Sequence, residues 1–236
     1  MIAPLLISMQ TTLWAQTLAV SGQASGWLLS KPDTAVISGI GLRYIPELEI
    51  SDSLRGNIAA QLDLSANGYA TGGYGRGAAA QYEEGAELYR GWLRLATNTF
   101  EARIGLQRIN FGSATLFRPL MWFDRVDPRD PLQLTEGVKG VLARYSFPNN
   151  ANIWGWALYG NSEPTGWETT PTVDKTVEFG GRMQTPVPRG EVGVTYHHRQ
   201  AELGVPEGSV PEDRFGLDGK WNLGLGVWGE AALVHE

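Results

Sequence analysis

Cysteine is missing from all 236 residues, which excludes disulfides and thiolate metal sites. Long apolar runs are missing as well. A membrane-crossing helix needs about 18 or more consecutive apolar residues, and the chain holds no such run. Positive charge is not in excess: 19 Lys and Arg face 25 Asp and Glu, a net charge of -6. That balance argues against nucleic acid as the main partner. No basic residue occurs before Lys31, so the apolar start Ile2 to Met9 lacks the basic region of a secretory leader. Small residues near Ala15 and Ala19 nevertheless fit a cleavage site. Residues 1–17 are read as a trimmed signal peptide, with an apolar first strand as the other reading.

Glycine is abundant, at 30 residues against an average near about 7%, and it lies inside segments that alternate with period two. The clearest unit runs from Glu87 to Phe111. Tyr89, Gly91, Leu93 and Leu95 share one face and Arg90, Trp92 and Arg94 the other. After a turn at 96–99, Phe100, Ala102, Ile104 and Leu106 oppose Glu101, Arg103, Gly105 and Gln107. The same alternation marks 54–67, 175–185, 190–200 and 213–222. It is weak at 35–50 and 151–161. Further strands are expected at 18–30, 137–147 and 224–235.

Short turns at 96–99, 148–150, 185–189 and 222–224 alternate with long loops at 68–85, 111–136, 162–174 and 201–212. Spanning β-barrels pair short periplasmic turns with longer outer loops, whereas a soluble sandwich has no reason to. In a bilayer every backbone polar group must be bonded internally, so a spanning sheet has to close. The fold expected is therefore all-β: an antiparallel up-and-down transmembrane β-barrel over 18–236. About ten to eleven strands are visible, and such barrels use even numbers. The chain is accordingly expected to be an N-terminal portion that continues beyond Glu236. Aromatics near segment ends, among them Tyr44, Phe100, Phe111, Tyr145 and Tyr159, fit interfacial girdles or ordinary strand enrichment.

Residues 111–136 break the rhythm. Leu116, Phe117, Leu120, Met121, Trp122 and Phe123 make this segment far less polar than the other loops. Loops beyond about 12–15 residues are usually functional or disordered, and this composition speaks against disorder. The segment is read as folded inward across the barrel mouth, either constricting a pore or capping it. Phe117, Arg118, Trp122, Asp124, Arg125, Asp127, Arg129 and Asp130 are its candidate residues.

Gly105 to Gly112, followed by Phe117-Arg118-Pro119 and Val126-Asp127-Pro128-Arg129-Asp130-Pro131, resembles a stretch of porin-like bacterial outer-membrane barrels. That family pattern has a strand ending Gly-x-Gln-x-x-x-Trp-Gly and a loop with Asn-Pro and Asn-Pro-Arg-Asp elements. Here Phe111 replaces its Trp, and Arg118 and Asp127 replace its Asn. The resemblance spans about 30 residues and implies residence in a bacterial outer membrane, in contact with its lipid.

Other constellations carry weaker signals. Asp124, Asp127 and Asp130 are interleaved with Arg125 and Arg129, so ion pairing competes with metal binding, and calcium needs about six or more oxygen ligands. His197 and His198 are adjacent on a strand and point to opposite faces. Gly72 to Gly77 lacks the Lys-Ser/Thr of a phosphate loop. No elbow places a nucleophile. No enzyme activity, metal or cofactor is expected.

The polar ladder is the better clue. Arg90, Arg94, Glu101, Arg103, Arg144, Glu178, Arg182, Glu191, Arg214 and Asp218 are the candidate pore-lining residues, with Arg199 and Glu230 beside them. They set selectivity or brace the wall as cross-strand pairs. The function expected is a porin-like channel for passive diffusion of small hydrophilic solutes, with homo-oligomerisation left open. The alternatives are a non-conducting barrel used as scaffold or assembly partner, and a soluble carbohydrate-binding β-protein.

Overall fold

Alternation becomes extended backbone along most of the chain, because β-branched and aromatic residues on one face leave the ladder groups free to pair across strands. The computed structural model describes residues 5–13, 16–30, 38–54, 57–74, 81–114, 117–126, 134–204 and 208–236. The strands are β1 (Leu5–Leu13), β2 (Gln16–Ser30), β3 (Ser38–Leu54), β4 (Ile58–Tyr74), β5 (Gln81–Ala96), β6 (Phe100–Gln107) and β7 (Arg125–Val126). They continue with β8 (Thr135–Glu136), β9 (Val138–Ser146), β10 (Asn152–Tyr159), β11 (Val177–Val187), β12 (Gly190–Glu202), β13 (Ser209–Asn222) and β14 (Gly226–His235). No helix occurs among the described residues.

Twelve strands form one antiparallel up-and-down sheet in chain order, and β7 and β8 pair separately. The sheet is open: β1 and β14 are its two edges. The sequence reading of an all-β up-and-down antiparallel sheet with about ten to eleven strands over 18–236 agrees with the eleven sheet strands β2–β6 and β9–β14. The additional strand is β1, which pairs with β2 from Leu5↔Ala24 to Leu13↔Gln16. It falls within the segment read above as a leader. The strands also run further than expected, since β4 reaches Tyr74, β5 begins at Gln81, β12 reaches Glu202 and β13 begins at Ser209. Two of the long loops, 68–85 and 201–212, are therefore largely hairpin. The short links at 97–99, 147–151 and 223–225 stand as read.

The chain divides into two compact units, 1–93 and 94–236. In the first, β2 pairs with β3 and β3 with β4. The β3–β4 ladder breaks between Tyr44↔Gly68 and Glu47↔Ser65, at Pro46, which has no N–H to give. Ser25, Trp27, Ile45, Asp63, Ser65 and Asn67 are buried, while Leu28, Ile40, Leu42, Tyr44 and Leu64 are exposed. Gly41 is required where it sits, because a Cβ there would lie 2.2 Å from the Trp27 ring.

The second unit contains β6 and β9–β14. Its registers run Phe100↔Tyr145, Asn152↔Ser146, Phe179↔His198 and Arg214↔Val234, among others. These registers stack one set of alternate residues on each face. Glu178, Arg182, Thr195, His197, Arg199, Glu212, Arg214 and Asp218 are buried, and Val141, Ile153, Tyr159, Val177, Phe179, Met183, Val194, Phe215 and Leu217 are exposed. The ordinary distribution is inverted, since charged side chains are almost never fully buried unless paired.

Candidate functional site

The polar face of the second unit is covered by the segment that follows β6. Beyond the end of β6, Gly112 takes a positive φ that turns the chain. Its apolar residues then settle on the sheet: Ile109, Phe111, Leu120, Trp122 and Phe123 bury together with Val138, Leu142, Trp156 and Leu158. Phe111 stacks on Trp156 with ring centroids 5.6 Å apart and meets Trp122 and Phe123 edge-on. This explains the weak alternation of β10. Trp154, Trp156 and Leu158 face the folded-over segment rather than water, so both faces of that strand read as apolar.

Polar contacts fix the segment at its ends. Ser113 donates to Asp218 at 3.4 Å, and the backbone N–H groups of Ala114 and Leu120 donate to Glu230. From the 160–176 link, Thr165 Oγ1 donates to the Trp122 carbonyl at 2.7 Å, Gly166 N–H to the Asp124 carbonyl at 2.8 Å and Trp167 Nε1 to the Arg118 carbonyl at 2.8 Å. Gly166 has φ +57°, and a Cβ there would meet the Met121 carbonyl oxygen at 2.0 Å. Asp124, buried, is held by Arg118 at 3.0 Å and Arg108 at 3.5 Å. Phe117 departs from the inward reading: it is 79% exposed and sits at the rim of a cavity of about 490 Å³ with Trp122, Trp167 and Arg199. Asp127, Arg129, Asp130 and the Arg125 side chain lie outside the described residues.

The charged ladder resolves into separate groups. Arg182 makes a two-pronged contact with Asp218 (2.5 and 3.0 Å) and donates to Thr195 at 2.9 Å. Arg199 makes another with Glu212 (2.9 and 2.7 Å), Arg214 bonds both Glu212 and Glu168, and Arg199 lies 3.4 Å from Glu168. Two guanidinium groups thus meet two carboxylates. Burial pushes the Glu168 carboxyl above its ordinary value, against the pull of Arg214 and Arg199. Trp156 Nε1 donates to His197 Nδ1 at 3.2 Å, so Nε2 carries the imidazole proton toward Glu178 at 3.2 Å.

The remaining predicted residues lie elsewhere. Glu191 pairs with Lys220 at 2.8 Å near solvent. Arg90 stacks on Tyr89 at 4.0 Å in the first unit. Near the 97–99 turn, Glu101 receives Arg94 at 2.7 Å and Arg103 at 2.8 Å. The Arg144 guanidinium there lies 4.9 Å over Trp154. These groups border a cavity of about 220 Å³ lined by Glu101, Arg103, Arg108, Asn110, Arg144 and Trp154, with Ile109 and Leu142.

Sequence reasoning missed Glu168 and Glu212. Extending the β13 alternation two residues back from Arg214 would have found Glu212. Glu168 sits on a link and carries no periodic signal. Phe111 was read as a girdle aromatic and instead belongs to the buried cluster.

No protein-family model, curated protein or solved structure matches this chain.

Proposed function

We propose that the chain is part of a porin-like outer-membrane β-barrel that passes small hydrophilic solutes along its polar face. The observation that carries this reading is the inverted burial of residues 94–236. Fully burying a large aliphatic or aromatic side chain is worth about 1.5–3 kcal/mol. A face that leaves Phe179 48%, Met183 50%, Val194 54% and Leu217 56% exposed therefore forgoes that stabilisation residue after residue, unless its surroundings are lipid. On the opposite face the guanidinium and carboxylate groups find partners, as groups shielded from lipid must. Strands of 11 to 14 residues in β11–β13 meet the about 9–11 that a tilted crossing requires. The resemblance of 105–131 to porin-like barrels points the same way.

The test is conductance in planar bilayers of the folded chain reconstituted with lipid. Discrete channels are expected. A folded, inserted protein that gives none would remove the transport reading. A specific observation favours a second reading, that of a non-conducting barrel. The cluster of Phe111, Leu120, Trp122 and Phe123 on Trp156 and Leu158 is a packed apolar plug on the very face a solute would follow. An inserted but silent protein is the outcome that reading expects.

A further inference from the structure

We infer that the cavity bordered by Arg103, Arg108 and Arg144 is a binding site for a small oxyanion, a carboxylate or a phosphate. The inference deepens the channel reading by naming a solute class, and its geometry stands within residues 94–236 alone.

Charge is matched elsewhere on the buried face. Arg182 is balanced by Asp218, and Arg199 and Arg214 by Glu168 and Glu212. The lining of the 220 Å³ cavity is predominantly cationic. Three guanidinium groups line it against one carboxylate, Glu101, and that carboxylate is already bonded by Arg94 as well as Arg103. Asp124, which is not on the lining, is shared between Arg108 and Arg118.

The hydrogen-bonding inventory has the same sign. The Nε–H of Arg144 is buried with no hydrogen-bond partner among the described residues, an orphaned donor that normally needs an explanation. Asn110 Oδ1 accepts from Arg118, which leaves its NH2 as a further donor on the lining. Apart from Glu101 the polar side chains of the cavity are donors, and planar guanidinium groups match the oxygens of carboxylate and phosphate. Trp154 and Leu142 close the cavity on their side, holding the dielectric below that of bulk water and strengthening the attraction. The cavity lies beside the 97–99 turn, since Glu101 pairs in register with Arg144 just inside it.

Isothermal titration calorimetry on the full chain folded in detergent tests the site, with inorganic phosphate and acetate as separate titrants. Saturable heats that weaken with added salt are expected for at least one of them. Arg144→Gln and Arg108→Gln should each weaken binding about tenfold, the loss of one charge-assisted contact. Arg108 is 46% exposed in its side chain and Asp124 keeps Arg118 when it is replaced, so Arg108→Gln is the milder change, with its unfolding transition as the check that it folds. No heat with either anion, or equal affinity in wild type and Arg108→Gln, overturns the site. Missing conductance in the same preparation removes the channel reading, while anion binding measured by calorimetry would still hold.

Discussion

Asp218→Ala tests whether the polar face of the second unit is dry. Asp218 and Arg182 have side chains 3% exposed each. Deleting the carboxylate leaves the Arg182 guanidinium with Thr195 as its remaining side-chain acceptor. Arg182 Nε is already buried without a hydrogen-bond partner. Removing one member of a buried pair costs about 3–5 kcal/mol, because the other charge stays behind. The contact from Ser113 to Asp218 is lost in the same step, so the folded-over segment loosens too. Replacing both partners, Arg182→Met with Asp218→Leu, should recover most of the loss, since apolar replacement of a buried pair ranges from neutral to about 1–4 kcal/mol stabilising. The assay is urea unfolding in detergent micelles followed by Trp fluorescence. Glu191→Ala, which breaks the solvent-facing pair with Lys220, serves as the control and should cost about 1 kcal/mol or less. If Asp218→Ala costs no more than that control, water reaches Arg182 freely, and the dry-face reasoning is refuted.

Three further outcomes are expected. Gly166→Ala puts a Cβ 2.0 Å from the Met121 carbonyl at φ +57°. Backbone strain of about 1–2 kcal/mol plus that overlap should release the segment, read as faster chymotryptic cleavage at Trp122 or Phe123; an unchanged rate would mean that the 160–176 link does not hold it. Deleting 112–134 should raise conductance, and unchanged conductance would remove the constricting role of the segment. For Glu168, burial lifts the folded carboxyl above 4.5, so the folded chain keeps a proton that the unfolded chain has lost. The stability this group supplies is full below that value and declines as pH rises through the elevated one. The stability of Glu168→Gln relative to wild type should therefore grow with pH in urea titrations; a difference that shrinks would show pairing with Arg199 and Arg214 outweighing burial.

Period-two reading succeeded where one face is apolar and the other carries charge. In β11, Val177, Phe179 and Met183 are exposed while Glu178 and Arg182 are buried, as the alternation implied. It failed in β10 because the face opposite Ile153 and Tyr159 meets aromatic side chains from the segment after β6, and contact over such a separation leaves no local pattern. It also failed at the loop ends of strands. The first four residues of β5, from Gln81 to Glu84, are exposed on both faces, so nothing selects apolar residues for either. The partners within the ladder were not legible for a related reason. Alternation assigns a face, whereas Arg214 meets Glu168 across 46 positions through a link with no period. That Leu120, Trp122 and Phe123 would be covered was legible from composition alone, because such side chains need cover wherever the chain runs.

The seating of that segment bears on how any solute could pass. Ile109, Phe111, Leu120, Trp122 and Phe123 are each 7% exposed or less. At about 1.5–3 kcal/mol per side chain, their joint burial is worth on the order of 10 kcal/mol before the entropy of ordering the segment is subtracted. The anchors to Glu230 and Asp218 come in addition. Spontaneous lifting of the whole segment would therefore be rare, and a pore that depended on it would stay shut. Conduction by the intact chain would have to run beside the segment rather than through a swinging gate. Steady single-channel currents would agree with such a path, whereas long silences broken by full openings would indicate that the packed cluster comes apart and that its burial is weaker than the exposures imply.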